Sequence, residues 1–250
     1  MLKKISEKIQ ILNSNALKII AIICMFCDHI WGTIIPGNNW LTIIGRISFP
    51  IFAFLVVEGF YKTKDLKKYI KRMFILALIS EIPFNLMFGG NIFFPFHQNV
   101  IFSFVISLLF MAWMEKSYKE GKFKFITVSF FATVLGFLFT TILFVDYYGF
   151  GLLITFVFYF AKKIKYTKLV EFIGMLIINC IIMEGKEIPI NILGNKMFIK
   201  EQAFAILSLI PIWLYNGKLG KKNKFIQYGF YLVYPIHMLI LATLALYILK

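Results

Sequence analysis

Acidic residues are scarce in this chain: 12 Asp and Glu stand against 27 Lys and Arg, with only three histidines and three cysteines. Charged residues of either sign make up 16%, against about 25% in a soluble domain. There is no Gly-x-Ser-x-Gly elbow, no Walker loop and no His-Glu-x-x-His, which argues against the chemistries those motifs carry. Cys24, Cys27 and Cys180 all lie in apolar runs without metal-site spacing. Cys24 and Cys27 can share a helix face, but buried small hydrophobes is the plainer reading. No internal repeat is visible, so the inverted-repeat signature of many transporters is missing. No cleavable signal is visible either: the polar stretch MLKKISEKIQILNSN precedes the first apolar run, without a small-x-small site.

What remains is apolar. The chain is 60% hydrophobic, with 30 phenylalanines and a mean hydropathy of +0.81. This composition indicates an all-α, polytopic membrane protein. The formal charge of +15 would suggest nucleic acid in a soluble protein. Here the lysines fall in short clusters between apolar runs, as cytoplasmic loops require, so no nucleic-acid partner is expected. Nine runs approach the length of about 20 residues needed to cross a bilayer. They are 16–35, 40–60, 69–88, 99–113, 125–144, 148–160, 169–183, 202–215 and 227–249. The fourth, sixth, seventh and eighth are short.

Basic residues cluster before the first run and after the second, fourth, sixth and eighth; the alternate connections are nearly free of lysine. Only the connection 185–201 is mixed. This alternation predicts nine spans, a cytoplasmic N-terminus and an extracytoplasmic C-terminus. No linker divides the chain, so residues 1–250 read as a single transmembrane domain. Residues 1–15 read as a short amphipathic helix lying on the lipid surface.

Polar residues inside the runs can then be given a depth at about 1.5 Å per residue. Asp28 and His29 fall about 15 Å above the inner surface, Glu81 about 13 Å and His237 about 15 Å, while Arg46 lies about 9 Å from the outer surface. Asn85 is one turn beyond Glu81. His97, Gln98 and Asn99 sit at the outer end of the fourth run. Buried ionisable groups in membranes mark a functional path by default. The plainer alternatives stay open: a structural Asp28–Arg46 ion pair, a core histidine at 237, a water-facing His97. Pro50, Pro83, Pro211 and Pro235 each free a backbone carbonyl within a span, which protein or water in a cavity can satisfy. A neutral histidine near a carboxylate can act as general base, and Arg46 can hold a carboxylate or an oxyanion. No ligand spacing points to a metal.

Together Asp28-His29, Gly45-Arg46, Phe49-Pro50, Glu58-Gly59, Ser80-Glu81, Pro83-Phe84-Asn85, Gln98-Asn99-Val100 and the C-terminal YLVYPIHMLIL resemble the TraX family. That family takes its name from a conjugation protein that N-acetylates pilin. It is more distantly similar to transmembrane acyltransferases such as heparan-glucosaminide acetyltransferase. The resemblance runs from about Leu17 to Asn99 and recurs near the C-terminus. It implies a membrane-bound O- or N-acetyltransferase in a bacterial cytoplasmic membrane. Acetyl-CoA would be the cytoplasmic donor, and a peptide N-terminus or envelope glycan the extracytoplasmic acceptor. The expected catalytic set is His29, Asp28, His237, Arg46 and Glu81; His97, Gln98, Asn99 and Asn85 are expected to meet the acceptor. Lys67, Lys68, Lys71 and Arg72 are candidates for the CoA phosphates, although positive-inside topology alone accounts for them equally well. The competing function is a proton-coupled transporter or channel in which Asp28, His29 and Glu81 relay protons.

Overall fold

The computed structural model describes residues 10–192, 195–221 and 223–248. Most of the surface helix expected over 1–15 therefore lies outside the described residues. Of its described part, residues 10–13 are not helical. Leu12 bridges to Tyr215, and Asn13 caps the first helix by accepting from the Ala16 amide at 3.0 Å.

The helices are α1 Ser14–Thr33, α2 Asn39–Gly45, α3 Ser48–Lys62, α4 Leu66–Gly89, α5 Ile101–Glu120, α6 Lys122–Ile142 and α7 Tyr148–Ala161. They continue with α8 Thr167–Leu176, a π-helical extension Ile177–Ile182, a 3-10 segment Glu201–Ser208 running into α9 Leu209–Trp213, and α10 Lys224–Ile248. Among the described residues, six helical stretches are long and apolar enough to cross a membrane: Ser14–Thr33, Asn39–Lys62, Leu66–Gly89, Ile101–Glu120, Lys122–Ile142 and Phe225–Ile248. Tyr148–Ala161 and Glu201–Trp213 are shorter apolar helices. The expected sixth, seventh and eighth spans are thus helical but short, while the fourth extends to full length.

Local chemistry explains the boundaries. Asp65 caps α4 by accepting from the Lys68 amide at 3.0 Å, and Gly90, at φ 66°, ends it in the left-handed conformation. The second span is broken between α2 and α3. Pro50 has no amide hydrogen to bond the Arg46 carbonyl, and the helix yields at Arg46 and Ile47. One element was not expected in an all-α fold. β1 Glu187–Ile192 pairs antiparallel with β2 Asn195–Lys200, setting Glu187 opposite Lys200. It occupies the mixed-charge connection, where a run of β-branched residues too short and polar to span can pair only locally.

The most buried span is α2–α3, with Ile51, Ala53 and Val57 fully buried. Exposed apolar residues recur every three or four positions on α4 (Ile75, Leu78, Ile79, Ile82) and on α6 (Phe131, Val134, Leu135, Leu138). That spacing is a lipid-facing stripe. The basic connections gather at one end of the bundle. Glu58 is ion-paired there with both Lys62 and Lys162, and Lys163 sits 2.7 Å from Glu115 and 3.9 Å above the Tyr118 ring. At the same end Asn15 donates to the Lys221 carbonyl at 3.1 Å, and Lys18 lies 5.0 Å over the Phe230 ring. The helices α1 and α10 therefore start together and run parallel, which carries His29 and His237 to the same height.

Candidate functional site

His29 Nδ1 and His237 Nε2 are 2.6 Å apart, and the rings meet edge to edge, with centroids 4.8 Å apart and planes 17° from parallel. On its other side His237 Nδ1 is 2.8 Å from the Val233 carbonyl oxygen, one turn back on α10. A carbonyl oxygen only accepts, so His237 Nδ1 carries the hydrogen. In a neutral ring, His237 Nε2 is then the acceptor. His29 Nδ1 donates to it, and the remaining lone pair of the dyad sits on His29 Nε2. Phe26 packs on His237 and the edge of Phe88 on His29, so both rings are held in orientation as well as in tautomer.

Asp28 turns toward α2. Its Oδ1 accepts from Arg46 Nη2 at 2.6 Å and from Thr42 Oγ1 at 3.2 Å. Arg46 Nη1 lies 3.5 Å from Gln202 Oε1, and Gln202 Nε2 donates to Asn179 Oδ1 at 2.9 Å. Asn179 is in the π-helical stretch, a local widening that is frequent at functional positions. Arg46 Nε is buried without a partner among the described residues. The ion pair requires a glycine at 45, because a Cβ there would overlap the Asp28 side chain.

A cavity of about 510 Å³ connects these groups with the basic end of the bundle. Lys18, Lys62 and Arg72 line one end of it, and Asp28, His29, Asp146 and Tyr147 belong to the same wall. Lys18 and His29 are eleven residues apart on α1, a rise of about 16 Å. Tyr69, Tyr231 and Tyr234 give its sides hydroxyl groups amid apolar surface.

The expected residues divide sharply against this cavity. His29, Asp28 and Arg72 line it, and His237 is buried directly behind His29. Arg46 does not line it and reaches the site only through Asp28. Lys67, Lys68 and Lys71 do not line it, and Lys68 instead pairs with Asp65 at 3.3 Å on the surface. Glu81 turns away from the histidines: its Oε2 accepts from the amide of Asn99 at 3.2 Å and from its side chain at 2.5 Å. Asn99 also donates to the Ala77 carbonyl and accepts from the Ile101 amide. Together they clamp the start of α5 to α4. Asn85 is buried and donates to the Ile92 carbonyl at 3.3 Å, and Gln98 donates to the Pro95 carbonyl. None of these four lines the cavity.

His97 lies outside the spans, 3.4 Å from Asp146 Oδ1. The Asp146 carboxylate holds its imidazolium to a higher pH than an ordinary histidine keeps. A raised folded-state pKa stabilises the fold below the ordinary value, and the contribution is lost as pH climbs through the raised one. The melting temperature of the wild type should therefore exceed that of His97→Gln most below about pH 6.5. The difference should shrink above it; a pH-independent difference would show that the pair does not titrate.

Thr42, Gln202, Asn179, Tyr147, Lys18 and Lys62 were not singled out from sequence. Gln202 and Asn179 carried the weakest signal, each being a neutral amide amid apolar residues. Tyr147 carried none.

A family model described as TraX protein matches residues 13–245, including the middle of the chain, where the motif resemblance was thin. The chain is also similar to the probable fimbrial assembly protein FimC, serogroup H1, of Dichelobacter nodosus. The two are 24% identical over 256 aligned positions, covering 93% of this chain and 95% of the relative. No solved structure matches the chain.

Proposed function

From the chain's membership of the TraX family, a family associated with pilin processing and fimbrial assembly, we propose that it is a membrane acetyltransferase. The donor is cytoplasmic acetyl-CoA and the acceptor an amine or hydroxyl reached from the other side of the membrane. One observation carries this reading: a single cavity joins a mouth lined by Lys18, Arg72 and the Glu58-paired Lys62 to a histidine whose Nε2 has no partner among the described residues. Cationic side chains suit the phosphates of CoA. The cavity suits a slender chain that must carry a thioester well into the membrane. Its basic mouth faces the cytoplasm by the positive-inside rule.

His29 Nε2 takes the proton of the attacking N–H or O–H as the new bond to the thioester carbon forms. The resulting imidazolium shares its Nδ1 proton with His237 Nε2, which spreads the charge. The carbon–sulfur bond breaks, and the CoA thiolate takes the proton back from His29. Asp28, beside His29 on α1, is held by Arg46, and that ion pair fixes the rotation of α1 that turns His29 toward the cavity. A proton relay through Asp28, His29 and Glu81 is disfavoured by the engagement of Glu81 with Asn99.

The direct test is the melting temperature of the purified protein with and without acetyl-CoA. A ligand that binds only the native state at 100 times its Kd stabilises it by about 2.7 kcal/mol. A rise with acetyl-CoA, followed by label from acetyl-CoA appearing on an envelope peptide or glycan, is the expected result. No rise at millimolar donor would overturn the reading.

A further inference from the structure

At the end of the bundle opposite the basic connections is a second concavity. A groove of about 420 Å³ lies between the loop after α4 and the α6–α7 turn, lined by residues that include Phe96, Gln98, Phe102, Ile142, Phe144 and Val145. Ile142 follows Leu138 by four residues and is exposed, so it continues the lipid-facing stripe of α6. The groove therefore opens onto lipid. Residues 89–96 carry no charge, and Ile92, Phe93, Phe94 and Phe96 are all exposed. So many apolar side chains in one stretch face a membrane rather than water. The backbone of 91–96 is irregular, which hydrocarbon does not tolerate uncovered. This loop thus lies where lipid heads meet tails. We infer that the groove holds one alkyl chain of a phospholipid from that leaflet, whose head carries both a phosphate and an amine and rests on His97 and Asp146. The inference is independent of the acyl-transfer reading above.

Hydrogen bonds build the groove in advance. Gln98 donates its amide to the Phe144 carbonyl at 2.9 Å, Asp146 donates to the Gln98 carbonyl at 2.8 Å, and Tyr148 donates to the Val145 carbonyl at 2.6 Å. The Phe96 ring meets that of Phe144 edge-on, with centroids 5.7 Å apart. Phe144, Tyr147 and Tyr148 are held at φ 53°, 65° and 45°, and such strain persists only where the surroundings fix it. The Gln98 side chain donates to the Pro95 carbonyl at 2.6 Å, so its polarity is spent outside the groove. Polar groups gather at the head of the groove instead. His97 follows Phe96, and Asp146 follows Val145. They are 3.4 Å apart and keep 36% and 34% of their side-chain surface exposed. A contact that long and that open leaves both able to take a third group. The imidazolium, which Asp146 keeps charged to a higher pH than usual, suits a phosphate oxygen. The carboxylate repels a purely anionic head and suits an ammonium. Asp146 also lines the cavity, so the lipid head lies beside the end of the cavity remote from its basic mouth.

The test is native mass spectrometry of the full-length protein in detergent, titrated with phosphatidylethanolamine, phosphatidylglycerol and glucosyl-diacylglycerol of one acyl composition. The wild type should bind one phosphatidylethanolamine at least about tenfold more tightly than either of the others, the scale of one hydrogen bond to a charged group. His97→Gln should bring phosphatidylethanolamine within about threefold of the glycolipid. Ile142→Asn, in the groove, should weaken all three about equally, whereas Ile126→Asn, at the other end of α6, should change none. Equal binding of the three lipids by the wild type would overturn the inference. So would an unchanged preference in His97→Gln, or an Ile142→Asn variant that binds like wild type. A dimer that Ile142→Asn dissolves, with no lipid preference, would assign the groove to a second copy of the chain and overturn it as well.

Discussion

Replacing His29 by alanine should lower the rate of the proposed acetyl transfer by about 10²–10⁴-fold, the usual contribution of a positioned general base. Replacing His237 costs less, and the size of the loss depends on what replaces it. The asymmetry follows from the direction of the dyad. His237 Nδ1 is committed to the Val233 carbonyl, so His237 receives a hydrogen bond and cannot face substrate with a lone pair of its own. In the proposed transfer it is a positioning residue, which fixes the His29 tautomer and shares the proton His29 acquires. His237→Gln retains an acceptor near the position of Nε2 and should lose about tenfold, whereas His237→Ala should lose about 10²-fold. Positioning predicts more than a smaller loss. In the glutamine variant the KM for acetyl-CoA should stay near the wild-type value while kcat falls. The pH–rate profile should also move, because the group that shares the His29 proton is gone. If His237→Ala is the more damaging change and His29→Ala keeps measurable activity with an unmoved profile, the roles are reversed.

The sequence made the polar layer legible but not its wiring. Asp28, His29 and His237 stand out because each interrupts an apolar run, and alternating lysine clusters place them at one depth. Which of them touch depends on the rotation of α1 and α10 about their axes. That rotation is set by packing among long-range neighbours such as Phe26 and Phe88. Glu81 shows the limit most clearly. It has the right depth, but the amide of Asn99 captures it, and only the approach of α5 to α4 decides that. Lys67, Lys68 and Lys71 were legible as a basic loop, yet α4 presents them to solvent and turns only Arg72 into the cavity. The β-hairpin was hidden because its connection was read for charge alone. Tyr147 was hidden because backbone strain leaves no mark in composition.

Asp28→Leu and Arg46→Leu should each destabilise the protein, by about 3 kcal/mol, the lower end of the range for breaking a buried ion pair. The lower end applies because the two side chains keep 22% and 14% of their surface exposed. Each single change strands a charge or a polar group: Arg46 keeps only the long contact to Gln202, and Asp28 keeps only Thr42. Gly45→Ala should act like either, since the added methyl occupies the volume of the Asp28 side chain. The double variant Asp28→Leu with Arg46→Leu removes both charges and should recover most of the lost stability, because apolar replacement of a buried pair is often neutral. Melting temperatures of the wild type, the two Leu single variants and the double variant in one detergent measure this, and a coupling of about 1–3 kcal/mol is expected for residues in contact. Additive losses would mean that the two groups do not stabilise one another. Activity should separate from stability in the double variant. Its helices are again held together, but the ion pair that fixes the rotation of α1 and so aims His29 is gone, so transfer should remain at least about tenfold below wild type. Full recovery of both quantities would reduce Asp28 to a pin between α1 and α2, and would leave the chemistry to the two histidines alone.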